Sequence, residues 1–424
     1  MSEQKNKNSK NGFAALYLTV LILAVILAIS VSISILTFGQ QKISQNITKS
    51  SQAYYTSEAG VEDALLRLVK KMNWSSPYNL KVGNATATVE ISDIVGGTRT
   101  ITSKGNSLNR IRKIQIIYAI STQQVSFHYG AQVGEGGMIM GNGSQVLGNV
   151  FSNSSVTGGG TIQNSIIVAG NGNKIDGITV GNDATVHTCK DSNIDGNLTY
   201  VSGGSIQNCT VGGVTSTQPN QIEPQSLPIS QSQIDEWKVK AAADGGVTTT
   251  DISISGTKIL GPIQIGTPAS PKNLTVAGGA TLTIKGTVYV TGNIIFDNNA
   301  KVSLDSSYGS LSGVILADGV ITIENNVTLS GSGQAGSYIL IFSTKNDTAN
   351  PVVDIRNNTA GFAIYYANSG LIYLKNNMCA REVTGYKIQI ENNAIIQYES
   401  GLEETNFSSG PGGSWEVTDW KEIE

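Results

Sequence analysis

The stretch FAALYLTVLILAVILAISVSISILTF, residues 13–38, is the longest apolar run in the chain and decides how the fold begins. Its polar residues are only threonines and serines, and no charged residue lies between Lys10 and Lys42. A helix rises about 1.5 Å per residue, so this run spans roughly 39 Å, enough for a tilted crossing of the ~30 Å hydrocarbon layer. The sequence therefore predicts a transmembrane helix over residues 13–38.

The charges before this run predict its orientation. The leader, residues 1–12, reads MSEQKNKNSKNG and carries three lysines against one glutamate. Lysine-rich flanks stay on the cytoplasmic side, so we expect a single pass through the cytoplasmic membrane, with the leader inside and a C-terminal head outside. The apolar core of a secretory signal is only ~7–15 residues long, which argues against a discarded signal.

The helix is expected to run over residues 13–72, because no proline appears before Pro77. Apolar residues recur at helical spacing along one face of its second half, at Ile43, Ile47, Tyr54, Val61, Leu65 and Leu68. Residues 73–127 follow as alternating β-rich runs such as ATATVEISDIV (85–95). They predict a small antiparallel sheet that packs on the helix.

The N-terminal arrangement resembles a known family. A short basic leader, then Gly12 and Phe13, the apolar helix and the segment AYYTSEAGVEDALLRL (53–68) are similar to type IV pilin-like proteins, most of all the PilX-type minor pilins. The resemblance implies that a prepilin peptidase cuts after Gly12 and leaves Phe13 as the mature N-terminus. It also implies partners: other pilin-like subunits through the helix, after a stay in the cytoplasmic membrane, and a final place at the cell surface or in a pilus.

Tyr17 departs from the family pattern. Major pilins carry a glutamate at this place, counted from Phe13, where it is thought to pair with the N-terminal amine of a neighbouring subunit. A carboxylate among packed apolar helices is tolerated only with such a partner. The departure implies a minor or tip subunit. The alternative is a single-pass, membrane-anchored surface protein that does not polymerise.

From about residue 128 the sequence becomes repetitive. The chain holds 48 glycines and only 14% charged residues, and segments such as TIQNSIIVAGNG (161–172) and NKIDGITVGNDA (173–184) recur with imperfect period. Short strands that turn every few residues are typical of stacked coils. We predict a mainly-β, right-handed parallel β-helix (solenoid), with a first block at 128–214, a second at 246–400 and a polar C-terminal tail at 401–424.

Two local patterns refine this prediction. Asn-Asn pairs recur in the second block, as in FDNNAKV and IENNVTL, and predict coil corners with left-handed backbone rather than calcium sites. Residues 215–245 read as a Pro-rich linker and a short helix. Ser230 and Gln233 predict a capping box, and Ile234, Trp237 and Ala241 an apolar helical face.

Little in the sequence favours catalysis. A net charge of −3 gives no footprint for nucleic acid, and three cysteines with two histidines predict neither a metal site nor a cofactor. Asp176 and Asp195, with His128 and His187, are the candidates for a polysaccharide-degrading β-helical enzyme, but Asp-Gly is also ordinary turn chemistry. We expect a non-enzymatic head that serves assembly, or adhesion to a surface glycan or another cell.

Cys189 and Cys209 are expected to form a disulfide outside the membrane. They lie 20 residues apart in similar repeats, about one coil, and stacked positions ~4.8 Å apart fall within the ~4.4–6.8 Å that a disulfide accepts between Cα atoms. Cys379 would then be a buried free thiol. The alternative is that all three cysteines are small apolar core residues.

Overall fold

One long helix, a small sheet and a long series of parallel strands make up the protein. A computed structural model describes residues 9–70, 72, 74–93, 98–120, 122–361, 363–408, 410 and 415–423. The chain divides into unit 1, Met1–Asp93 with Arg99–Ile117 and Val417–Glu424, and unit 2, Ile94–Thr98 with Tyr118–Glu416. The expected long N-terminal helix and mostly-β body are both present.

The helices are α1 (Ser9–Val69) and α2 (Gln231–Gly245), with 3-10 turns at Ser306–Tyr308 and Ser400–Glu404. The strands before α2 are β1 (Tyr78–Val82), β2 (Ala85–Ile91), β3 (Thr98–Ser107), β4 (Arg110–Ile120), β5 (Thr122–Val125), β6 (Ala131–Met140), β7 (Gln145–Leu147), β8 (Val150–Ser152), β9 (Val156–Gly158), β10 (Thr161–Ile162), β11 (Ile166–Val168), β12 (Lys174–Asp176), β13 (Thr179–Val180), β14 (Ala184–Val186), β15 (Thr188–Lys190), β16 (Asn193–Ile194), β17 (Leu198–Val201), β18 (Ile206–Gln207), β19 (Thr210–Val211) and β20 (Thr215–Gln218). The strands after α2 are β21 (Val247–Thr248), β22 (Ile252–Ile254), β23 (Thr257–Leu260), β24 (Ile263–Thr267), β25 (Ser270–Pro271), β26 (Leu274–Val276), β27 (Thr281–Ile284), β28 (Val288–Val290), β29 (Ile294–Phe296), β30 (Lys301–Leu304), β31 (Gly313–Ala317), β32 (Ile321–Ile323), β33 (Thr328–Ser330), β34 (Ile339–Ser343), β35 (Pro351–Ile355), β36 (Ala360–Gly361), β37 (Ala363–Leu374), β38 (Cys379–Ala380), β39 (Glu382–Ile390), β40 (Ile395–Gln397), β41 (Thr405–Ser408) and β42 (Trp415–Ile423).

In unit 1, α1 packs on a five-stranded sheet in the order β1-β2-β3-β4-β42. β2 pairs antiparallel with both β1 and β3. The helix approaches the sheet closely at two glycines. A Cβ on Gly60 would clash with Ser103 and lie 2.9 Å from Val89 Cγ2, and one on Gly105 of β3 would clash with the backbone of Ala53. Only glycine permits this separation at these two positions.

The predicted contact face of α1 is confirmed in part: Tyr54, Leu65 and Leu68 are half-buried. Ile43 and Ile47 are exposed, and of the six predicted residues only Val61 is fully buried. The buried face consists instead of small residues: Ala53, Thr56, Ser57, Gly60, Val61 and Ala64. Small side chains let the helix backbone approach the sheet, whereas bulky ones would hold it away.

In unit 2, parallel strands stack in register, and we call the strands between Ala131 and Gln397 the stack. Ala131, Val150, Ile166, Ala184 and Leu198 are successive partners along one row. Their side chains are all buried in one continuous apolar core. Strand residues alternate between this core and the surface, so a short strand of two or three residues contributes one or two side chains to the core.

The two predicted blocks of repeats form one stack, joined out of sequence order. β39, near the end of the second block, pairs in parallel with β6, which begins the first: Val383 aligns with Ala131 and Ile390 with Met140. β40 likewise pairs with β7. The first block therefore runs from this junction to β18, β19 and β20, which we call end A. The second block starts at β21, β22 and β23, which we call end B, and winds back to the junction.

Residues 219–246 connect end A to end B along the side of the stack. Gln132 Nε2 donates to Ser226 O at 3.0 Å, and Ile229 N donates to the Tyr366 hydroxyl at 3.2 Å. Farther along, Gln264 N donates to Gly246 O at 3.0 Å. Each contact lies nearer to end B than the one before it, so the segment spans most of the stack.

The prediction for α2 is confirmed. Ser230 and Gln233 form a capping box, and Ile234, Trp237 and Ala241 are the buried residues of the helix. They pack on side chains that face out of the stack, including Leu316, Leu340 and Phe342. Trp237 is therefore a core residue, with only 2% of its surface exposed.

The Asn-Asn pairs are corners, as predicted. The second asparagine of each pair has φ between 58° and 63°, at Asn299, Asn326, Asn358, Asn377 and Asn393. A row of hydrogen bonds between successive layers was not predicted: Asn273 N donates to Asp251 Oδ1, and Asn293 N donates to Asn273 Oδ1, each at 2.8 Å. Its signal is a polar residue directly before each strand, as in NLTV (273–276) and NIIF (293–296).

Residues 401–424 are not a polar tail over their described part. β41 pairs antiparallel with β5, and its Phe407 is fully buried. β42 joins the sheet of unit 1. The predicted sheet region 73–127 is correspondingly divided, because β5 belongs to unit 2. β41 buries Thr405 and Ser408 beside Phe407, and polar residues of this kind do not indicate burial in the sequence.

The close approach at Gly60 predicts an asymmetry between two glycines of α1. Gly60→Ala should destabilise the protein by about 1–3 kcal/mol, because the added methyl overpacks the helix–sheet contact. Gly39→Ala is the matched control: its Cβ would meet nothing within 4 Å, so helix propensity should leave it neutral or slightly stabilising. Thermal unfolding of the full chain in detergent measures both, and equal midpoints would contradict the packing described.

Glu382 predicts how stability changes with pH. It is fully buried and accepts a hydrogen bond from the Thr384 hydroxyl, and burial raises its pKa well above the usual 4.5. The folded state therefore holds a proton that the unfolded state loses, so this site's contribution to stability is greatest below about pH 4.5 and falls as pH rises toward the folded pKa. Glu382→Gln should remove up to about 1.4 kcal/mol of pH dependence per pH unit. The exposed Glu404→Gln is the control, and an identical slope in both variants would refute the assignment.

Candidate functional site: the apolar half of the N-terminal helix

The apolar half of α1 is the candidate functional site. Every side chain from Phe13 to Thr48 is exposed, and large apolar ones dominate as far as Phe38. Within the described residues, α1 is the helix that is long and apolar enough to cross a membrane. An exposed apolar surface of this extent is not stable in water and requires either lipid or other helices around it.

The serine and threonine hydroxyls of this half, residues 13–38, need nothing from the surroundings. Ser30 Oγ donates to Ile26 O, Ser32 Oγ to Ala28 O, Ser34 Oγ to Ser30 O and Thr37 Oγ1 to Ile33 O, each at 2.8 Å. Thr19 Oγ1 donates to Leu16 O at the same distance. Hydroxyls that bond to the preceding turn of their own helix are compatible with a hydrocarbon environment.

The predicted site residues lie at the start of this half. α1 begins at Ser9, so the bond between Gly12 and Phe13 lies within a helix. The ring centroids of Phe13 and Tyr17 are 5.8 Å apart, and Tyr17 is 69% exposed. Tyr17 therefore presents an aromatic ring, without a carboxylate, to whatever packs against the helix. Residues 1–8 of the leader lie outside the described part of the chain.

Polar contacts mark where the apolar half ends. Arg110 Nη2 of β4 donates to Asn46 Oδ1, and Arg112 Nε donates to Ser50 Oγ, each at 2.8 Å. Arg112 also pairs with Glu422 of β42 at 2.9 Å. These contacts hold α1 against the sheet from Asn46 onward. This role was not predicted; its signal in the sequence is a pair of arginines on one strand and polar residues, Asn46 and Ser50, on the helix.

The candidate catalytic residues are not brought together. Asp176 lies in β12 and is paired with Lys174 at 2.7 Å and Lys190 at 3.3 Å. Asp195 follows β16, which belongs to a different sheet. His128 precedes β6, whereas His187 contacts Thr188. Among the described residues, no three His, Cys, Asp or Glu side chains converge as metal ligands.

Cys189 and Cys209 are joined by a disulfide, with Cα atoms 6.3 Å apart. The expected alignment is nevertheless wrong. Cys189 stacks on Ile206, not on Cys209. Cys209 follows a corner at Asn208, whose φ is 53°, and this corner brings its sulfur back to the neighbouring strand. Cys379 is a free thiol and is only half-buried.

Comparisons with known proteins add little. No family model matches the chain, and no curated protein is significantly similar to it. The competence-associated pilin ComZ from Thermus thermophilus shares 11% identity over 89% of this chain and 98% of its own, with a TM-score of 0.18. An ice binding protein from an Antarctic bacterium, Flavobacteriaceae, shares 13% identity over 63% of this chain and 80% of its own, with a TM-score of 0.17. Similarity at these TM-scores supports no conclusion about fold or function.

The disulfide predicts a local effect on end A. Cys209→Ser should increase amide exchange in residues 205–218, because closing a loop of this size contributes up to about 3 kcal/mol. Among the described residues, β18, β19 and β20 pair with β15, β16 and β17 along one edge. Cys379→Ser, the matched control, should leave that exchange unchanged. Non-reducing peptide mapping of the full chain should find one alkylatable thiol, and three would refute the bond.

Proposed function

We propose that this chain is a pilin-like subunit of a type IV pilus or related surface filament. Its α1 is held in the cytoplasmic membrane before assembly and packs among other subunits afterwards. Unit 2 forms a head outside the cell. The observation that carries the proposal is the fully exposed apolar half of α1. Its serine and threonine hydroxyls bond to the backbone of the same helix, and the second half of α1 packs on a sheet.

The joined halves of α1 favour a pilin-like role over a simple anchor. A membrane anchor requires only the first half. Here the same helix continues without a break into the small-residue face at Ala53, Gly60 and Ala64. The apolar half is thereby fixed rigidly to a folded sheet, which is what an assembling subunit needs to position its neighbours.

Tyr17 supports a minor or tip position, as in the PilX-type pilins. The ring cannot supply the negative charge that would pair with the N-terminal amine of a neighbour within packed helices. Such a subunit would join the filament in few copies or at its end. The alternative, a membrane-anchored surface protein that does not polymerise, shares the helix but not the cleavage after Gly12.

We propose further that the stack of unit 2 is a right-handed parallel solenoid and that it acts by contact rather than by catalysis. Its registered parallel pairing supports the first statement, and the separation of Asp176, Asp195 and the histidines supports the second. Adhesion is the leading role, with a surface glycan or another cell as the target. The other partners are the prepilin peptidase and fellow pilin-like subunits, and neither a cofactor nor nucleic acid is involved.

The cleavage test uses the intact mass of the full chain recovered from membranes of cells that carry a prepilin peptidase. The wild type should begin at Phe13, and Gly12→Val should retain the leader because the peptidase requires a small residue there. Gly39→Val, the same change farther along α1, should be cleaved normally. A wild-type chain that still begins at Met1 or Ser2 would reject the pilin assignment in favour of the simple anchor.

A further inference from the structure

The two ends of the stack differ in how they are protected. An end strand exposes unpaired backbone N–H and C=O groups, and proteins usually block such edges with charge, proline or a covering segment. End B carries Lys258 in register with the core residue Leu282, so a charge stands over its apolar interior. End A lacks such a charge: residues 196–222 contain no charged residue, and Pro219 follows β20 without interrupting it.

The apolar interior is open at end A. Ile206 stacks on the buried Cys189 yet is 39% exposed, and Thr215, which stacks on the buried Leu198, is exposed as well. Val211 and Cys209 are only partly buried against the core. These side chains lack the next layer that covers their counterparts farther inside the stack. The disulfide between Cys189 and Cys209 holds this last layer in place.

The edge of β20 is suited to pairing. Leu198 N donates to Val214 O at 3.0 Å, and Ser202 N donates to Gln218 O at 2.8 Å, so residues 214 and 218 face β17. Parallel pairing uses alternate residues, which directs the backbone groups of Thr215 and Thr217 away from the stack. The chain itself contains a pairing between strand edges that are distant in sequence, where β39 pairs in parallel with β6.

We propose that end A is a docking surface for a second copy of this chain. The two copies meet about a two-fold axis, so that β20 pairs antiparallel with β20 of the copy and the two open interiors cover each other. An uncharged face meets itself without like-charge repulsion, and two-fold contacts close without forming a fibre. Head-to-tail contact is disfavoured, because it would bury Lys258 against Val211, the residue at end A in the same row of the stack, without a partner.

Sedimentation of the full chain in detergent tests this, with a charge placed at either end. The wild type should be a dimer. Val214 directly precedes β20 and is 69% exposed. Val214→Lys should raise the dimer dissociation constant at least about tenfold, because each copy would bury a charge without a partner in the interface. Val247→Lys, the matched control at end B, changes a side chain that is 48% exposed and should leave the dimer intact.

A second variant distinguishes a weakened interface from misfolding of the last layer. Thr217→Pro removes an outward N–H without touching the bonds to β17, and it should weaken the dimer similarly while the Cys189–Cys209 disulfide stays formed on peptide mapping. A monomeric wild type at the highest concentration measured would overturn the proposal. So would a dimer that neither Val214→Lys nor Thr217→Pro weakens, or one that Val247→Lys weakens equally, since association through α1 would behave in that way.

Discussion

The parallel pairing of β39 with β6 is the contact on which the rest of unit 2 depends. It joins the end of the second block of repeats to the beginning of the first, so that one apolar core passes through both. Without it, each block would expose an open interior at the junction, in addition to ends A and B. The route of residues 219–246 follows from the same constraint, because the chain must travel from end A to end B before the second block can wind back. α2 packs against Leu316 and Phe342, so this connection shares a second apolar cluster with the outer face of the stack.

Unit 1 depends on a comparable constraint, the small-residue face of α1. Gly60 of the helix and Gly105 of the sheet allow close approach of the two backbones, and the arginines of β4 fix the helix from Asn46 onward. The apolar half thus projects from a rigid base. This links the packing of the fold to its proposed use, since a subunit that assembles through its helix must hold that helix at a defined angle to its own sheet.

Local features of this chain could be read from sequence, because they depend on neighbouring residues. The capping box of Ser230 and Gln233, the apolar face around Trp237 and the left-handed corners such as Asn299 are of this kind. The junction could not be predicted in this way, since many short strands of similar composition compete for β6 and only the completed stack selects β39. The small-residue face of α1 was not predicted because Ala53 and Gly60 carry no strong hydrophobic signal. These residues contribute by being small, which allows the helix to approach the sheet. The alignment of Cys189 failed for a third reason: the corner at Asn208 displaces the stacking by a few residues, and degenerate repeats do not reveal such shifts.

Electron microscopy of the surface of cells that express the full chain, with a gold label attached to the head, tests the assignment as a filament subunit most directly. If the chain is the minor subunit proposed above, the label should lie on surface fibres, sparse along them or concentrated at their tips. Label spread evenly over the membrane, with none on fibres, would contradict this assignment and identify the protein as an anchored surface protein.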